Sequence, residues 1–181
     1  MYPKYANIGG EKKALNTSYK TALRCFETIQ NPRISDYERC LGVIYMLFGE
    51  IPKADMVQEY FEKAVYYLQC GQTKAEQDSK PADMDFNYDR KYINASFMYA
   101  YGINLEETDL HFWQYIELIE GLPNDCILSQ VRNIRTCDVK DYAEKDRAKI
   151  KQLKRELALP IRFTQEEQEA SDEFERLLGG E

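Results

Sequence analysis

The sequence holds a single histidine, His111, among 181 residues. Catalysis by a histidine pair is excluded, and so is a metal site built from several imidazoles. The five cysteines, Cys25, Cys40, Cys70, Cys126 and Cys137, stand singly, with no Cys-x-x-Cys pair. Such an odd, scattered set reads as reduced thiols filling small apolar positions. A chain of this length buries roughly two-thirds of its unfolded surface, so it folds without a disulfide framework. Valine is scarce, with five copies, which weighs against an extensive sheet. The longest apolar run, Leu41 to Phe48, spans eight residues and includes a glycine. A membrane span needs about 20. The opening residues lack the charged and apolar regions of a signal peptide, so no membrane partner is expected. There is no glycine-rich phosphate loop, no Gly-x-Ser-x-Gly elbow and no His-Glu-x-x-His. The expectation is a protein that is not an enzyme, with no catalytic residues, no cofactor and no metal.

What is present is acid, tyrosine and helical periodicity. Thirty-one Asp and Glu against 24 Lys and Arg leave a net charge of −7. That balance repels phosphate backbones, so no nucleic-acid partner is expected. Fourteen tyrosines and the lone Trp113 compensate for modest aliphatic content, because each ring buries a large area.

The first segment predicts a hairpin. Tyr5 to Ile8 and Glu11 to Leu15 flank Gly9-Gly10, a pair suited to the positive φ angles of a two-residue turn. Asn16-Thr17-Ser18 then offers N-caps for a helix with Tyr19, Leu23, Phe26 and Ile29 on one face, stopped at Asn31-Pro32. Ser35 and Glu38 have capping-box spacing before Leu41, Ile44, Leu47 and Phe48, with Gly49 as the stop. A third helix runs from near Asp55 to Gly71, and Gln72 to Met84 reads as a polar linker. Further helices are predicted from about Asn87 to Tyr101, from about Thr108 to Gly121, and after a cap at Asn124. Val139, Tyr142 or Ala143, Asp146, Ile150, Leu153 and Leu157 predict one long, exposed helix with a narrow apolar seam. Beyond Pro160, Thr164 and Glu167 form a second capping box, opening an acidic helix with Phe174, Leu177 and Leu178.

The fold expectation is thus all-α, mainly a helical bundle, with a short N-terminal β-hairpin and an extended C-terminal helical arm. Residues 1–137 would form the core domain and 138–181 the charged arm. Charge divides along that arm: residues 138–155 carry seven bases and four acids, residues 156–181 two bases and eight acids. The two helices either pair with each other or serve a partner.

Few residues invite a chemical role. Asp83, Asp85 and Asp89 form an acidic cluster, but without the glycine turn and spaced glutamate of a calcium loop they read as helix-capping aspartates. His111 opens an aromatic helix with no nucleophile linked to it, which favours packing or hydrogen bonding over catalysis. The candidate partner-binding residues are Phe112, Trp113 and Tyr115 on the aromatic helix, and Tyr142, Ile150, Leu153 and Leu157 on the seam. Aromatic residues anchor interfaces, although the bland reading makes Trp113 a large core side chain. The same seam could zip two chains into a homo-oligomer.

The stretch Ile93-Asn94-Ala95-Ser96-Phe97-Met98-Tyr99-Ala100-Tyr101-Gly102-Ile103-Asn104-Leu105, with Leu110-His111-Phe112-Trp113-Gln114-Tyr115-Ile116 and Gly121-Leu122-Pro123, resembles the bacteriophage gene product fifteen family of siphophages and prophages. Ile8-Gly9-Gly10, Gly49-Glu50-Ile51-Pro52 and Ile134-Arg135 agree with it. The likeness covers most of residues 5–157. The resemblance implies a protein encoded beside tail genes, in the place of tail assembly chaperones, which coat the tape measure protein and help tail tube subunits polymerise. It implies a tape measure protein or major tail protein as partner, a location in the host cytoplasm, and absence from the mature virion. The alternative is a structural tail component such as a connector or tail-tip subunit. The family brings no catalytic residues.

Overall fold

The computed structural model describes residues 1–72 and 82–160. Among them are one antiparallel hairpin and seven α-helices, the mainly helical architecture expected. The chain clusters into two compact units, whose described parts are residues 1–72 and 82–160.

In the first unit, β1 (Tyr5–Ile8) pairs with β2 (Glu11–Ala14) in the register Tyr5 with Ala14 through Ile8 with Glu11. Gly9 and Gly10 turn the chain at φ 57° and 82°, both in the left-handed region that a two-residue hairpin turn requires. An isolated hairpin is marginal in water, and this one is anchored on the helices of its unit. The Gly9 amide donates to Glu59 Oε1 at 2.9 Å, and Ile8 is buried with Ile44 and Tyr60.

Three helices complete this unit: α1 (Tyr19–Ile29), α2 (Asp36–Phe48) and α3 (Val57–Leu68). Ser18 caps α1, accepting from the Lys20 amide at 3.2 Å. Ser35 and Glu38 form the full capping box of α2: each side chain accepts from the other residue's backbone amide. Gly49 ends α2 in the left-handed conformation, φ 73°. Gly42 sits where α1 comes close, since a Cβ there would lie 3.2 Å from the Thr28 methyl. Val43, Ile44 and Leu47 of α2 are fully buried, as are Ala22, Cys25 and Ala64.

The second unit contains α4 (Arg90–Tyr101), α5 (Phe112–Glu120), α6 (Ile127–Thr136) and α7 (Glu144–Glu156). Helix α4 packs on α5 and α6, and α6 on α7. Three starts differ from the sequence expectation. Helix α4 begins after Asp89, α5 after His111 and α6 after Cys126, two to four residues later than the expected starts and cap at Asn87, Thr108 and Asn124. At α5 the reason is visible: the His111 Nδ1 accepts from the Trp113 amide at 3.1 Å, so an imidazole does the work expected of a hydroxyl or carboxylate.

The larger correction concerns the seam. Val139 to Leu157 is not one helix. A single 3₁₀ turn, Val139–Asp141, is followed by extended backbone at Tyr142 and Ala143 before α7 starts. Arg147 holds that break, its Nε donating to the Tyr142 carbonyl and its Nη2 to the Lys140 carbonyl, at 3.0 and 3.2 Å. The resulting helix lies on α6 within the same unit. The acidic helix expected after Pro160 lies outside the described residues, as do 73–81 of the expected linker.

Candidate interaction surface

Two buried polar side chains set the frame of the second unit. Ser96 of α4 has no exposed surface, and its Oγ accepts from the Leu128 amide at 3.1 Å. It thereby satisfies one of the orphan donors at the start of α6, whose own cap residue Cys126 makes no such bond. Asp89 is likewise fully buried. Its two oxygens accept from Arg135 Nη1 and Nη2 at 2.6 and 2.7 Å, and its Oδ2 also accepts from the Asp85 amide at 2.9 Å. The guanidinium continues to the Asp83 carbonyl at 2.9 Å and, through Nε, to the Leu157 carbonyl at 2.7 Å. One arginine therefore ties together the segment before α4, the last turn of α6 and the end of α7. A planar fork with no acceptor and five donors suits that task. Lys154 adds a second tie from α7, donating to the Arg135 and Cys137 carbonyls at 2.8 and 2.6 Å. A cation at a helix C-terminus is favourable for the dipole as well as for the unpaired carbonyls.

The acidic cluster is engaged in the same frame. Asp83 pairs with Arg132 at 2.8 Å, and Asp85 Oδ1 accepts from the Asn87 and Tyr88 amides. Among the described residues no group of three or more His, Cys, Asp or Glu is placed to hold a metal ion.

The aromatic helix fills the interior. Phe112 and Tyr115 are buried. Tyr115 stacks on Phe97 of α4 with centroids 5.4 Å apart and rings at 28°, within the range of favourable offset pairs. Tyr101 meets the same Phe97 edge-on and donates to the Leu118 carbonyl at 2.8 Å. The two resembling stretches, residues 93–105 and 110–116, thus build one core. Trp113 is half-buried beside His111. On α7, Ile150 is buried and Leu153 and Leu157 are half-buried. Tyr142 is half-buried on the extended stretch, and hydrogen bonding to Cys137 raises its phenol above the usual value. The seven candidates therefore fall into two groups, one on α5 and one around α7, and Phe112, Tyr115 and Ile150 turn their side chains into the unit.

The exposed apolar surface lies elsewhere. On α2, Tyr37 and Tyr45 are 60% and 58% exposed, and with half-buried Leu41 they occupy positions i, i+4 and i+8, one row of the helix. Helix α2 therefore has an apolar row outside the Val43, Ile44 and Leu47 side that its core uses. Ile51, just past its end, is also exposed. In the second unit Met98 and Tyr99 of α4 are exposed, and Tyr99 donates to Asp125 Oδ2 at 2.8 Å, just before exposed Ile127 opens α6. Helical spacing alone groups Leu41 with the core residues of α2 and gives no weight to the flanking tyrosines. A buried row and an exposed one have the same period, so spacing does not separate them.

Among the described residues, no helix is long and apolar enough to cross a membrane. No curated protein and no solved structure matches the chain. A family model does: the one described as "Bacteriophage Gp15 protein" matches residues 3–159. It takes in the hairpin, both aromatic stretches and the Asp89–Arg135 pair, and the chain belongs to the bacteriophage Gp15 protein family.

Proposed function

We propose that this phage protein is a non-enzymatic tail assembly chaperone that binds the tape measure protein, the major tail protein, or both, during tail morphogenesis in the host cytoplasm. The observation that carries the reading is the exposed apolar row Tyr37, Leu41 and Tyr45 on α2, with Met98, Tyr99 and Ile127 in the second unit. A long, helical, partly apolar client aggregates when bare. A carrier needs apolar helical faces of modest area, together with an acidic surface that keeps the complex soluble. The chain's net charge of −7 supplies the second.

Co-expression with tape measure fragments and affinity capture tests the reading. Capture should be lost in a Tyr37→Ser/Tyr45→Ser variant that folds normally. No association with either tail protein, both partners being soluble, would refute the reading. Mass spectrometry of purified particles separates it from the alternative: a chaperone is missing from them, whereas a connector or tail-tip subunit is present in stoichiometric amount.

A further inference from the structure

Helix α7 carries six bases and three acids, net +3 within a chain of −7, so the remaining residues carry −10. Two of the six bases are committed to the fold: Lys154 to the end of α6 and Arg147 to the turn before α7. The other four, Lys145, Lys149, Lys151 and Arg155, are all exposed. No carboxylate of the described residues lies within ion-pair distance of them. They form two i, i+4 pairs on the side of α7 away from Ile150, flanking Ala148 and Gln152.

We propose that this outward face of α7 is a docking surface for an acidic helical segment of another protein. The spacing of the two pairs matches carboxylates repeated at i, i+4 on a facing helix, and the helix, about 20 Å long, suits a segment of three to four turns. Nucleic acid fits less well. The face has no aromatic side chain on which a base could stack, and the −10 carried by the rest of the chain repels a long polyanion. The proposal reaches beyond the apolar rows of α2 and α4, since it concerns a different face with different chemistry.

The test uses the full chain and a fluorescently labelled, Glu-rich helical peptide with carboxylates at i, i+4. The expected result is binding that weakens with added salt and falls roughly 16-fold in K145Q/K149Q/K151Q/R155Q, since each of the four exposed ion pairs lost contributes a factor of roughly two. Trp113 fluorescence checks that the variant folds. A control, K4Q/K12Q/R24Q/K53Q, removes four bases from the other unit and should bind the peptide like the parent. Absence of binding at low salt, or equal weakening in both variants, overturns the proposal. So does tighter binding of labelled duplex DNA through the same four residues. Self-association that the α7 variant abolishes would assign the face to a second copy and overturn it likewise.

Discussion

Replacing Arg135 with methionine should unfold the second unit far more readily than its position in the last turn of a helix suggests. The guanidinium side chain is 6% exposed and the Asp89 side chain 0%. Without Arg135, Asp89 keeps one donor, the Asp85 amide at 2.9 Å, and no counter-charge among the described residues. Breaking one side of a buried pair costs about 3–5 kcal/mol, because the remaining charge is left uncompensated. Domains are stable by only about 5–15 kcal/mol, so the loss takes a large share. The assay is urea unfolding followed by Trp113 fluorescence, since the sole tryptophan lies on α5 of the same unit. The sign of the second step is the sharper test. Adding Asp89→Asn removes the stranded charge and leaves a hydrogen-bonding deficit of about 1–3 kcal/mol, so R135M/D89N should be more stable than R135M alone. The exposed pair Arg90–Glu106, with side chains 67% and 60% exposed, supplies the contrast, and Arg90→Gln should cost less than about 0.5 kcal/mol. A cost for R135M within about 1 kcal/mol of the parent, or a double variant less stable than R135M, would refute the buried-pair argument.

Three further outcomes are expected. His111→Ala removes the cap of α5 and should cost about 1 kcal/mol in the same fluorescence assay, while His111→Asn keeps an acceptor and most of the stability. The Ser35 hydroxyl and amide hold the Glu38 carboxyl below its usual 4.5. With the folded value depressed, this contribution is complete above pH 4.5 and is lost as pH falls through the folded value. Ser35→Ala should therefore lower the thermal midpoint by a few degrees at neutral pH, with the difference narrowing below that window in circular dichroism melts. Burial pushes the Cys25 thiol up to about 12, and it has no exposed surface. Thiol labelling with peptide mapping should leave Cys25 unmodified in native protein and modify it only on denaturation.

The local features of this molecule were legible because each is written in neighbouring residues. Gly9-Gly10 turns the hairpin, Ser18 and the Ser35–Glu38 box start helices, and Gly49 and Gly102 stop them in the left-handed conformation. The family likeness was legible in the same way, since its aromatic stretches are contiguous. The failures share a cause. His111, Cys126 and the extended Tyr142-Ala143 stretch carry no strong propensity signal: an imidazole caps α5, Cys126 makes no side-chain cap bond and distant Ser96 serves the start of α6 instead, and Arg147 holds the break before α7.

The amino-acid sequence by itself determined the helical class, the hairpin and the acidic character, because periodicity, capping and composition act within a few residues. Only the tertiary structure decided that Asp89 and Arg135, 46 positions apart, are buried partners, that Ser96 caps a helix 32 residues on, and that α2 shows its Tyr37–Tyr45 row to solvent. A charge or an aromatic ring looks the same in a sequence whether it faces water or protein, and burial is a property of the neighbours that folding brings to it.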